Sequence, residues 1–140
     1  MAATVYNGVL QGTGASHTQV LYTNSTGKNV RIVFNFITTA DTSSVQTYFY
    51  FGPSSSPQHP SGQDLDTMIV GVPKNSIFGK SLATARTDNN TANHAYCGQA
   101  AFFPLEVVLA NGSKISVNIP AQIDTNNNAI SYNFVAITED

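Results

Sequence analysis

Between Lys28 and Thr38 the chain reads KNVRIVFNFIT, with Val30, Ile32, Phe34 and Phe36 at every second position. A period of two marks a strand whose alternate side chains point to one buried face. Val33 and Ile37 share the other face with Arg31 and Asn35, so the pattern predicts a central strand covered in part on both sides. The same period recurs elsewhere. His17 to Thr23 alternates, and the turn residues Ser25, Thr26 and Gly27 follow it. Val45 to Phe51, VQTYFYF, is β-branched and aromatic, and such residues suit a pleated surface. Val45, Thr47, Phe49 and Phe51 share one of its faces, Tyr48 and Tyr50 the other. Thr67 to Val72 predicts a shorter strand, in which Gly71 marks a bulge or a close backbone approach. Ile130 to Ile137 predicts a final strand and Thr4 to Leu10 an early one.

The strongest local signal is LEVVLANGSKISVNI, Leu105 to Ile119. Leu105, Val107 and Leu109 alternate up to Asn111-Gly112, and Ile115, Val117 and Ile119 alternate away from it. Asn-Gly between two alternating runs predicts a β-hairpin, because both residues tolerate positive φ. No segment carries a helical pattern: Ile77 to Ala95 contains Ala and Leu but is broken by Gly79, Thr84, Thr87 and the cluster at Asp88 to Asn90. The chain therefore predicts one all-β domain over residues 1–140, an antiparallel β-sandwich of jelly-roll type with seven or eight strands. A small closed β-barrel is the alternative. Ile32, Phe34, Phe36, Val107, Leu109, Ile115, Val117, Tyr132 and Phe134 are its expected core. Two connections, Gly52 to Asp66 and Pro73 to Ala95, are too long for hairpins, and long loops in compact domains tend to be functional or disordered.

Charge changes the picture more than hydrophobicity does. Hydrophobic residues make up 41% of the chain, enough for a core, but only six basic and eight acidic residues are present. In their place stand 13 Ser, 15 Thr and 14 Asn. Such a surface has little charge repulsion to keep copies apart, which points towards packing against other chains. The opening MAATVYNGV has no basic segment followed by an apolar run, so no secretory signal is read there and folding in the cytoplasm is expected. The longest strongly apolar stretch, around Val30 to Ile37, is interrupted by Arg31 and Asn35 and too short to cross a bilayer, so no membrane partner is expected. Basic residues are too few for a nucleic-acid surface. Asn24-Ser-Thr, Asn89-Asn-Thr and Asn111-Gly-Ser fit the glycosylation pattern, as chance allows in so Asn-rich a chain.

Catalytic constellations are not legible. His17, His59 and His94 lie far apart, with no metal-ligand spacing. Asp64 and Asp66 read as solvated loop carboxylates, without a calcium-loop pattern. Cys97 has His94 three residues earlier, a conceivable nucleophile pair, although Cys97 on an apolar strand reads better as a small buried side chain. Gly12-Thr-Gly14 lacks the Lys and Ser/Thr of a phosphate loop. The Tyr48 and Tyr50 face is the one feature suited to stacking on a carbohydrate, set against the ordinary use of aromatic strands as core. The expectation is a protein that is not an enzyme and uses no cofactor or metal. Its partner contacts are sought in the Pro73 to Ala95 segment, where Ile77, Phe78 and Leu82 stand beside Lys80 and Arg86. Apolar anchors ringed by polar groups describe an interface, and Phe78 folding back onto the domain's own core is the alternative.

The opening VYNGVLQGTGASHTQVLYTNSTGKNVRIVFNFI and the closing LANGSKISVNI and ISYNFVAITED resemble small virion proteins of tailed bacteriophages, particularly marine and cyanobacterial ones. The middle, Thr39 to Phe103, lies outside the resemblance. It implies a capsid decoration or cement protein that binds the major capsid protein and stabilises the particle. The alternative it implies is the head of a tail fibre or tail appendage that binds a host receptor or carbohydrate. A homo-oligomer is expected, with a trimer favoured, located in the virion after synthesis in the host cytoplasm. The resemblance carries no active residues.

Overall fold

A computed structural model describes residues 1–39, 47–53, 67–72, 76–79, 96–97, 105–119 and 128–139. Ten strands and no helix are found among them: β1 (Ala2–Gln11), β2 (His17–Thr23), β3 (Val30–Thr39), β4 (Thr47–Gly52), β5 (Met68–Val72), β6 (Ser76–Gly79), β7 (Tyr96–Cys97), β8 (Glu106–Leu109), β9 (Lys114–Ile119) and β10 (Asn128–Thr138). They form two sheets. One runs β1-β10-β3, with β8 along the first part of β3 and β6, then β7, along its far part. The other runs β2-β9-β4-β5. Every ladder is antiparallel except the short one between β6 and β7. No ladder joins the two sheets among the described residues, so the arrangement is that of a sandwich and not the alternative closed barrel. The count exceeds the expected seven or eight because β6 and β7 are short strands that weak local patterning did not announce.

The core lies between the sheets, where the alternation put it. Ile32, Phe34, Leu109, Ile115, Val117 and Phe134 are buried, as expected, together with Phe49, Ile119 and Ile130. Aromatic rings bridge the layers. Phe34 of β3 meets Phe51 of β4 edge to face at 6.2 Å, and Phe134 of β10 lies 5.2 Å from Phe34 and from Tyr6, and 6.2 Å from Tyr22. Such offset and edge-on contacts suit the quadrupoles of the rings. Tyr132 and Val107 are half-buried against this cluster.

Phe36 departs from the expected core. Asn133 pairs with Phe36 while Phe134 pairs with Phe34, so Asn35 is an extra residue in β3, a β-bulge. One inserted residue exchanges the two faces beyond it. Ile37, opposite Tyr132, is fully buried and Phe36 is half-buried, the reverse of strict alternation. Gly71, by contrast, carries no bulge, since β5 keeps unbroken register with β4 and sets Gly71 opposite Tyr48. A close approach does occur at Gly8. It stands opposite Tyr132, and a Cβ added there would come within 2.8 Å of the Tyr132 hydroxyl oxygen. Glycine lets that ring lie across the edge strand.

The Asn111-Gly112 turn forms, but not the predicted hairpin. The Ser113 amide donates to the Ala110 carbonyl at 3.0 Å and Gly112 adopts φ 87°, as a tight turn requires. The flanking strands then part: β8 pairs with β3 and β9 pairs with β2 and β4. The cause is Asn24, fully buried in the β2–β3 connection. Its amide donates to the Ser113 carbonyl at 2.9 Å and its carbonyl accepts from the Gly112 amide at 2.7 Å. Its side-chain Nδ2 donates to Lys28 O and Leu109 O, and its Oδ1 accepts from the Thr26 amide and hydroxyl. The Gly27 amide completes the knot by donating to Asn111 Oδ1 at 2.9 Å. The two turns that cross between sheets are thus bonded to each other, and Asn24 and Asn111 of the apparent sequons serve as turn residues, while Asn89 lies outside the described residues.

Candidate functional site

The contact candidates from the sequence fall unevenly. Ile77 and Phe78 stand in β6, opposite Thr38 and Ile37 of β3, so they belong to a sheet and not to the loop that the sequence suggested. Leu82 and Arg86 lie outside the described residues, as do His59, His94, Asp64 and Asp66. Cys97 ends β7. His17 is held at the mouth of β2, its Nδ1 within 3.2 Å of Ala15 O and 3.3 Å of Thr13 Oγ1. Among the described residues no three His, Cys, Asp or Glu side chains gather as a metal site would require. The proposed stacking face does not present a pair of free rings: Tyr50 is only 5% exposed. Burial, and then the neighbouring Tyr48, push the Tyr50 phenol above its ordinary range.

What the described residues do present is surface for contact. Among the described residues β1 is an edge strand, bonded on one side to β10, and most of its length is exposed. Val5 is 62% exposed and Val9 53%. These two side chains share with Asn7 the face of the sheet turned away from the core, since Tyr6 and Leu10 of the alternate set pack inward. That outer face continues from Val5 across Val135 and Val33 to Glu106, and in the next row from Ala3 across Ile137 and Arg31 to Val108. Val108 is 61% exposed. Charge is confined to the far side of this face, where Arg31 reaches Glu106 at 3.2 Å and Glu139 at 3.8 Å. Closer to β1, Asn35 Nδ2 donates to Asn133 Oδ1.

A cleft of about 390 Å³ opens where β8 and the β4–β5 end of the other sheet diverge. Phe51, Gly52, Met68, Val107, Val108, Leu109, Ala110 and Ser113 line it. None of these eight side chains titrates near neutral pH, so the described lining of the cleft holds no general acid or base and suits an apolar group. A second hollow, of about 170 Å³, lies beside Arg31 and Glu139.

Sequence reasoning passed over β1 as a contact surface, although a signal was available. AATVYNGVLQ has apolar residues on both faces, and neither a charge nor a proline to guard it. No helix among the described residues is long and apolar enough to cross a membrane. Comparison with protein-family models, with curated proteins and with solved structures finds no match to this chain.

Proposed function

We propose that this chain is a non-enzymatic structural protein of a tailed-phage virion, built as a jelly roll and serving to decorate and stabilise the capsid. The observation that supports it most is the strand order. Taking β8 as the fourth strand beside β3, the sheets read β1-β10-β3-β8 and β2-β9-β4-β5. The chain changes sheets at β1–β2, β2–β3, β3–β4, β5–β6, β8–β9 and β9–β10, and it stays within a sheet from β4 to β5 and from β6 to β8. This order supports the reading as two interleaved Greek keys, an architecture used by viral capsid and lectin domains. The charge-poor composition and the exposed, unguarded β1 agree with a part that works by packing against other chains. The homo-oligomer and the contact with the major capsid protein belong to the same proposal.

The test is to raise antibodies against the purified chain and label virions from its source for electron microscopy. Label spread over the capsid is the expected result. Label on the tail tip would move the protein to the receptor-binding or carbohydrate-binding role, and unlabelled particles would end the virion reading.

A further inference from the structure

We propose that β1 is the docking edge for a second copy of this chain, the two β1 strands pairing antiparallel about a twofold axis at Asn7. This deepens the assembly reading and rests on it, with a dimer in place of the trimer that the resemblance implies. An open sheet edge offers unpaired N–H and C=O groups to another chain, and folds that stay monomeric guard their edges with charge, proline, bulges or short length. Among the described residues the other edges are guarded in this way, β7 by its length of two residues. β2 breaks register between Val20 and Tyr22. β8 is four residues long and places Glu106 in an ion pair with Arg31. β5 is five residues long and contains Gly71. β1 is ten residues long and keeps regular register with β10 from Ala2 to Leu10. It holds no charge or proline, and its Val5 and Val9 are 62% and 53% exposed.

The strand is also complementary to itself. With Asn7 opposite Asn7 of the second copy, Val5 falls opposite Val9 of that copy, twice, on the outer face of the joined sheet. The two Asn7 amides then face each other across the axis, each able to donate and accept. On the inner face Tyr6 falls opposite Gly8 of the second copy, over which the Tyr132 ring of that copy lies. An isologous contact sets residues near the axis against their own images, so any charge there would meet a like charge. A charge-free strand fits a copy of itself for that reason. The contact closes at two chains, leaving β1 buried and no growing edge.

Sedimentation of the full chain and of two double variants tests this. Wild type is expected to be a dimer at micromolar concentration. Val5→Lys with Val9→Lys sets like charges opposite each other at both ends of the contact and is expected to weaken the dimer by about tenfold or more. Val5→Lys with Val9→Glu sets opposite charges together and is expected to stay paired. Both variants change only exposed positions, and their circular dichroism and melting should match wild type. The proposal is overturned by a wild-type monomer, which would leave the edge to a strand of another protein, or by a trimer. It is equally overturned if the two double variants behave alike, because the register then cannot be the one described. Virion labelling reads the proposed role separately, so loss of self-pairing and loss of the virion reading remain distinguishable.

Discussion

Phe34 shows how much of this fold a single side chain holds. It is fully buried, with Phe51 on the facing sheet and Phe134 on the neighbouring strand, so removing its ring opens a cavity where both layers meet. Phe34→Ala is expected to lower unfolding free energy by about 3–5 kcal/mol, measured by urea denaturation. A loss under about 1 kcal/mol would place the ring outside the core. Asn24 does different work, because its side chain makes hydrogen bonds and little else. Asn24→Ala removes the side-chain bonds to Leu109 O, Lys28 O and Thr26 and is expected to cost about 2–4 kcal/mol, since lost bonds to buried groups carry a desolvation penalty. Asn24→Asp keeps the shape but turns an acceptor towards Lys28 O and Leu109 O, so equilibrium unfolding should find it no more stable than the alanine variant.

At the scale of elements, existence and type were legible in the sequence for all but the short β6 and β7, and partnership was not. Alternation announced β2, β3, β4, β9 and β10, because one face of each meets the core and a period of two follows from the pleat. The bulge at Asn35 was invisible for a physical reason. Phe36 and Ile37 are both large and apolar, so the pattern reads equally well in either phase, and the choice rests with β10, roughly a hundred residues away in sequence. The Asn111-Gly112 turn was read correctly as a turn and wrongly as a hairpin. Turn chemistry is local, whereas the sheet that the next strand joins depends on Asn24, which occupies the backbone groups beside the turn. β1 was found as a strand but not as a surface, since exposure of Val5 and Val9 follows from β1 having a neighbour on one side.

For the whole molecule, pH and strand order give the remaining tests. Burial raises the phenol pKa of Tyr22, Tyr50 and Tyr132, with Tyr6 adding to the first and Tyr48 to the second. A raised value means that the folded chain holds these protons more tightly than the unfolded chain does. Their stabilising contribution is therefore fully present below the ordinary tyrosine value of about 10 and is lost as pH rises above it. Urea midpoints measured across this range should fall only on the alkaline side, and a midpoint that rises there would contradict the burial of these rings. The functional reading itself stands on the winding of the two sheets, and cross-strand nuclear Overhauser effects in the isotope-labelled protein test that most directly. The structure predicts effects linking Val30 with Leu109 and Tyr22 with Ile115, with none linking Val108 to Ile115 across the Asn111-Gly112 turn. A continuous ladder from Leu109–Lys114 through Val107–Ser116 would make β8 and β9 a hairpin, and would contradict the strand order from which both the jelly roll and the virion role are proposed.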